Sequence, residues 1–215
     1  MSEITGWLLD LYPVRHYGLA LWIICNDGSR RRFTQRFPVT FFAAGADHQL
    51  LQLRRFLGKL NTFIQFKDAT GRDLFQPHPV PTLAITVADA AEQEEVFQAA
   101  NSRFPGLTYY DADIPISLLH AARYGSFPLV RCRLQVSPTS QVEEFTPLES
   151  PWELDPAPPP LRILTIRPDN DPRQAPPRSL LVEYDQHQHL MPLEPSRPFL
   201  INLASILRNY DPDIL

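Results

Sequence analysis

The stretch over residues 137–160, ending in Pro156-Ala157-Pro158-Pro159-Pro160, sets the first limit on how this chain can fold. Proline fixes φ near −65° and has no backbone N–H, so such a run enters neither a helix interior nor a central strand. Dense in Pro, Glu, Ser and Thr, the stretch predicts a linker or an extended surface strap. It divides the chain into a β-rich domain over 1–136, a connector over 137–160 and a short α/β piece over 161–215. With 23 prolines against 8 glycines, the connections are stiff rather than floppy.

At 215 residues and 44% hydrophobic content the chain can bury a real core. No apolar run reaches the length of a bilayer span, and no charged-then-apolar signal pattern opens the sequence, so the expected compartment is the cytoplasm. Cys25 and Cys132 sit in strand-like apolar runs without metal-ligand spacing and read as two buried thiols. Net charge is −4, which argues against strong nucleic-acid binding by the whole chain. The charge is uneven, however. Residues 1–67 carry nine Lys/Arg against four Asp/Glu (+5), and residues 68–160 five against thirteen (−8). A basic N-terminal third beside an acidic middle suits one DNA-facing side, or is ordinary surface chemistry.

Residues 7–12 (WLLDLY) and 19–25 (LALWIIC) read as strands, with Pro13 and Gly18 interrupting between them. Asn26-Asp27-Gly28-Ser29 is a turn signal, because Asn, Asp and Gly accept positive φ cheaply. A third strand over 31–37 completes an antiparallel meander, and Arg30, Arg31, Arg32 and Arg36 lie just past the hairpin tip. That cluster has two readings. One is a solvated edge that discourages sheet-to-sheet association. The other is a phosphate-contacting rim, since guanidinium forks match phosphate oxygens.

Residues 37–44 (FPVTFFAA) form another apolar strand. Over 47–60, Leu50, Leu53, Leu57 and Leu60 make one helical stripe, with Asp47 as N-cap and Arg54, Arg55 and Lys59 directed away. A strand over 62–66 and a turn over 68–71 follow. Strand 82–87, an amphipathic helix over 89–102 and strand 107–110 then complete a ferredoxin-like α+β arrangement. Residues 111–129 (DADIPISLLHAARYGSFPL) read as a short helix between strands, capped by Asp113 and stopped by Gly125 and Pro128. Its apolar side is Ile116, Leu119 and Tyr124, with Leu118 and Ala122 beside them. Residues 129–136 alternate as a half-buried strand should. Beyond the connector, 179–184 (SLLVEY) reads as a strand and 198–209 as a helix with Leu200, Leu203, Ile206 and Leu207 inward. His187 and His189 lie two apart on a polar strand end, with no third ligand near in sequence to complete a metal site.

Several of these phrases, in this order, resemble the N-terminal region of family B DNA polymerases. The Asp113-Ile114-Pro115 junction before a short helix is one, and the 37–44 strand, similar to the family's "F-x-P-Y-F-Y", is another. The most specific is Pro151-Trp-Glu-Leu-Asp-Pro-Ala-Pro-Pro-Pro-Leu-Arg-Ile-Leu164, which resembles a "W-x-L-D-P-x-x-P-P-L-R-x-L" phrase leading into the first exonuclease strand. Tyr210-Asp-Pro-Asp-Ile-Leu215 resembles the phrase that precedes the second exonuclease motif, where Asp211 and Asp213 end a helix. The resemblance implies an α+β chain: a β-rich N-terminal domain with a ferredoxin-like unit, then the beginning of an RNase H-like α/β exonuclease fold.

The family's first exonuclease motif is Asp-x-Glu, whose carboxylates help hold two divalent metals. Here Arg167-Pro168-Asp169 stands in its place, a cation where the first ligand belongs. The implied function is therefore a non-catalytic N-terminal part of a family B DNA polymerase-like protein, binding DNA template and scaffolding in replication or repair. Its exonuclease site is lost, and this chain alone is expected to be inactive. A full-length or split parent would be a DNA-directed DNA polymerase using Mg²⁺, and no cofactor is expected for this chain. The expected partners are DNA, as single strand or primer-template and bound weakly, and the palm, fingers and thumb on the same or another chain. No membrane partner is expected. Two other readings stay open: a stand-alone interaction module, and a nuclease whose carboxylates lie elsewhere.

Overall fold

Alternating aliphatic side chains draw the first strands around a shared interior. The computed structural model describes residues 1–73 and 75–215. In chain order the elements are β1 (Ser2–Val14), β2 (Gly18–Cys25), β3 (Arg30–Gln35), β4 (Val39–Ala44), α1 (Asp47–Leu57), β5 (Ile64–Gly71) and β6 (Val80–Val87). A 3-10 turn (Ala90–Glu92) leads into α2 (Gln93–Arg103), β7 (Thr108–Tyr110), α3 (Ile116–Tyr124), β8 (Arg131–Val136) and β9 (Gln141–Pro147). Then come β10 (Leu164–Pro168), β11 (Ser179–Tyr184), β12 (His187–Pro192) and α4 (Ser196–Tyr210). The chain is mixed α+β and strand-rich, in two units, Met1–Ala157 and Pro158–Leu215. No helix among the described residues is long and apolar enough to cross a membrane.

In the first unit, β1, β2, β3, β9 and β8 close into a barrel in that order, antiparallel except for the β3–β9 pair. This is a five-stranded Greek-key barrel of the OB type. Leu19, Leu21, Ile23, Phe33, Leu134 and Phe145 fill it; each fully buried side chain of this size contributes about 1.5–3 kcal/mol. A bulge between Leu8 and Asp10 shifts the phase of β1, so Leu8 and Leu11 both pack on this core. Gly6 stands in register with both Cys25 and Cys132, whose thiols are free and buried, as expected. Burial raises both thiols, that of Cys132 to about 12.

Strand β9 lies inside the stretch expected to be irregular. Its two buried apolar residues, Val142 and Phe145, are three apart, because the ladder slips by one residue between Gln135 and Val136. That slip hides the period of two among polar neighbours. The irregular strap follows β9 instead, and Trp7 Nε1 donates to the carbonyl of Ala157 at 3.0 Å.

The second half of this unit is a β-α-β-β-α-β sheet in the order β5-β6-β4-β7, all antiparallel: the expected ferredoxin-like arrangement. Helices α1 and α2 cover one face around Phe41, Leu53, Leu57, Ile85 and Val96. Residues 68–71, expected as a turn, are the end of β5, paired with Val80 to Leu83. Neither expected aspartate caps a helix. Ala46 and Pro115 occupy the N-cap positions of α1 and α3, without side-chain cap bonds, while Asp47 sits in the first turn, where the helix dipole favours it. Gly125 does end α3, at φ 70°.

The second unit pairs β10, β11 and β12 as an antiparallel sheet whose core is Leu164, Val182 and Met191. Strand β12 forms where the sequence reads only as a polar strand end. From α4, Phe199, Leu203, Ile206, Leu207 and Tyr210 pack on that core, whereas Leu200, expected inward, is 60% exposed. Asp211, at φ 49°, closes the helix and pairs with the Arg162 guanidinium at 2.9 Å. Asp213 accepts from the Arg162 backbone N–H at 2.8 Å. Both aspartates are occupied in fixing the helix end, in keeping with their structural reading.

Candidate nucleic-acid interface

The β1–β2 connection turns at His16, whose φ is 69°, and Gly18, whose φ is 79°. Asp89 holds that tip in place. One carboxylate oxygen accepts from the His16 N–H, and the other caps the 3-10 turn by accepting from Ala91 N–H at 3.0 Å. Arg15 adds an ion pair to Glu95. The latch sets Tyr17, 61% exposed, beside the outer face of β3. A cleft of about 760 Å³ opens there, lined among others by Tyr17, Thr34, Arg36, Phe63, Gln65 and Gln141. An adjoining hollow of about 290 Å³ shares Tyr17, Thr34 and Gln141 and adds Arg32, Thr139 and Ser140. Phe63 is 67% exposed. Asp89 and Glu92 form part of the cleft wall, and the carboxylate oxygens of Asp89 are already engaged.

The arginines expected to act as one group are divided, Arg31 by the pleat and Arg30 by a local hydrogen bond. Arg32 and Arg36 are exposed, and each lines one of these two hollows. Arg32 stands in register with Trp22, whose indole N–H donates to Tyr12 Oη at 3.2 Å. Arg30 is turned back onto the carbonyl of Gly28. Arg31 has the parity of Phe33 and lies over its ring, 5.1 Å from the centroid. What results is two guanidiniums, exposed aromatic rings, hydroxyls and amides along one groove. Bases can stack on such rings while phosphates meet the cations. Tyr17, Phe63 and Gln141 escape a reading of the sequence because they come from three separated segments, two connections and the first residue of β9.

In the second unit Arg167 is paired with Glu183. Asp169 braces the facing strand, accepting from Ser179 Oγ at 2.9 Å and from the Arg178 N–H at 3.2 Å. The Ser179 hydroxyl, with the Arg178 N–H second to it, holds this carboxyl below the usual carboxylate range. Among the described residues no group of three or more His, Cys, Asp or Glu is placed to hold a metal ion.

Sequence reading also passes over His120. It is fully buried, with Nδ1 at 2.7 Å from Ser126 Oγ and Nε2 at 2.9 Å from Gln35 Oε1. Phe37, Tyr124 and Phe145 surround it. Burial, and secondarily the charge of Arg123, pushes its pKa down to about 4. Leu118 and Ala122, expected on the apolar side, are exposed. His120 takes their place because positions 116, 120 and 124 share a stripe at i, i+4 and i+8.

An OB-type barrel joined to a ferredoxin-like sheet, with a cationic and aromatic groove, defines the class of this fold. Among solved structures, the chain is similar to the family B DNA polymerase from the hyperthermophilic archaeon Pyrobaculum calidifontis. The TM-score is 0.64 at 22% sequence identity, over 98% of this chain and 30% of that one. The resemblance expected from the sequence phrases is thus met at the level of fold. No family model matches the sequence, and no curated protein matches it.

Proposed function

We propose that this chain is a non-catalytic, DNA-binding N-terminal part of a family B DNA polymerase-like protein. The observation that carries the reading is the groove on β3, bounded by the β1–β2 tip and the β8–β9 turn. Those are the surfaces with which OB barrels hold single-stranded nucleic acid. Arg32 and Arg36 supply the phosphate contacts and Tyr17 and Phe63 the stacking surfaces, while Arg30 and Arg31, engaged with the Gly28 carbonyl and the Phe33 ring, contribute less. The strength of the interaction comes chiefly from released counterions, so it is sequence-independent and steeply salt-dependent. Palm, fingers and thumb would act on the same template from the same or another chain.

Anisotropy with single-stranded and primer-template DNA at two salt concentrations tests this. The double substitution Arg32→Ala, Arg36→Ala should weaken binding about equally for all sequences and reduce the single-strand salt slope by about 1.4, near 0.7 per phosphate contact. Tyr17→Ala should weaken single-strand binding with the salt slope unchanged. Curves for the arginine variant that coincide with wild type would leave the groove as a solvated sheet edge.

The three-stranded sheet followed by α4 supports the opening of an RNase H-like exonuclease fold, but its donors do not fit two divalent metals. Arg167 would repel them, and the Asp169 oxygens are spent on Ser179 and Arg178. No 3′–5′ digestion of a labelled single strand is expected with Mg²⁺ or Mn²⁺. Digestion by purified protein that disappears in Asp169→Ala would overturn this reading.

A further inference from the structure

The second unit contains an opening of its own, about 760 Å³, between β12 and α4. Its walls mix apolar residues such as Met191 and Phe199 with the polar side chains of His189, Asn202, Ser205 and Asn209. The register of β12 places Met191, His189 and His187 opposite Leu180, Val182 and Tyr184, on the sheet face that α4 covers. Met191 obeys the covering and is buried, while the two imidazoles are left exposed on an edge strand. The facing side of α4 answers in kind. Pro198, Asn202, Ser205 and Asn209 line the cleft at spacings of four, three and four, one stripe of a helix.

Tyr184, His187 and His189 form a tile of nearly parallel rings. Their centroids lie 5.4 to 6.3 Å apart and their planes within 21° of one another. The Tyr184 hydroxyl lies 3.1 Å from His189 Nε2, which fixes the second ring against the first. Across the cleft the carboxamide of Asn202 has no hydrogen-bond partner among the described residues, and that of Asn209 reaches Ser205 Oγ at 3.4 Å. A carboxamide offers both a donor and an acceptor, so this wall matches a planar ligand with a mixed hydrogen-bonding edge. Glu194 adds an acceptor, and no Lys or Arg is among the described residues that line the opening.

The geometry points to a binding site for an unpaired nucleobase, stacked on the Tyr184–His189 tile and held at its edge by Asn202 and Asn209. The size falls within the range of small-molecule sites, and stacking of bases on aromatic and imidazole rings is a general mode of single-strand recognition. Without a cation in the lining, a ligand's phosphates must lie outside the cleft. A bare nucleoside therefore binds as well as its monophosphate. This site is independent of the groove on β3, and failure of either leaves the other standing.

The base can come from a free nucleoside or from a single strand, and the test separates the two. Side-chain amide and imidazole NMR signals of the full chain would be followed during titration with adenosine, with cytidine, and with a short oligonucleotide. The oligonucleotide runs use an Arg32→Ala, Arg36→Ala background, to silence the barrel groove. Shifts at Asn202, Asn209 and His189 with either nucleoside mean that the free base suffices; shifts with the oligonucleotide alone mean that a strand supplies it. His189→Ala should weaken the response about tenfold, as loss of one stacking surface implies. His189→Phe should retain it, and Asn202→Leu, which removes the donor and acceptor at the base edge, should weaken it for both nucleosides. Both substituted positions are exposed, so circular dichroism should be unchanged. No shift with any probe, or equal affinities for His189→Ala and wild type, would overturn the assignment.

Discussion

Replacing His120 by alanine is expected to cost the first unit about 4 kcal/mol of stability. The change leaves a cavity of aromatic size among Phe37, Tyr124 and Phe145 and strips Gln35 and Ser126 of their shared partner. Acid should act through the same residue. The folded pKa, about 4, lies below the ordinary 6.5, so the unfolded chain binds more protons between those values. The resulting stabilisation, about 3 kcal/mol, is complete above pH 6.5 and is lost as pH falls through about 4. Urea denaturation of wild type and His120→Phe from pH 7 to 4 measures it. The variant should start lower and lose less across that window, because the neutral ring has no proton to gain. Parallel pH curves for the two proteins would mean that His120 does not carry the acid sensitivity.

Gly6→Ala should be comparably damaging, about 3 kcal/mol, despite adding one methyl group. A Cβ at this position would lie 2.2 Å from the Ile24 carbonyl oxygen and 2.9 Å from Cys25 Cα. These are backbone atoms of the neighbouring strand, so no side chain can swing aside, and β1 must part from β2 where the barrel also closes onto β8. Gly28→Ala is the control for loss of a glycine as such. Its φ is 80°, but nothing lies within 4 Å of its added Cβ, so only the strain of the turn is felt. A thermal midpoint for Gly6→Ala within a degree or two of wild type would show that the barrel yields there.

Local chemistry wrote much of this protein into its sequence. Asn26 to Ser29 had to turn, Gly125 had to end a helix, and the aliphatic spacing of Leu53 and Leu57 had to face a sheet. The ferredoxin-like unit was legible because its elements are short and periodic and alternate in the order strand, helix, strand, strand, helix, strand. The prolines from 156 to 160 marked where regular structure stops. Tertiary structure alone decided the rest, wherever a residue's role depends on a neighbour far along the chain. β9 became a strand only because β3 and β8 offered it two edges, and its bulge erased the alternation that would have revealed it. His120 entered the core because Gln35, 85 positions away, supplied the second hydrogen bond that an isolated helix cannot. The arginines were plain to see, but their neighbours decided which of them reach the groove: the pleat puts Arg31 on the side of Phe33, and Arg30, which shares the face of Arg32 and Arg36, is drawn back onto the Gly28 carbonyl. Periodicity records which way a side chain points along its own element, and it carries no record of which distant backbone comes to lie opposite.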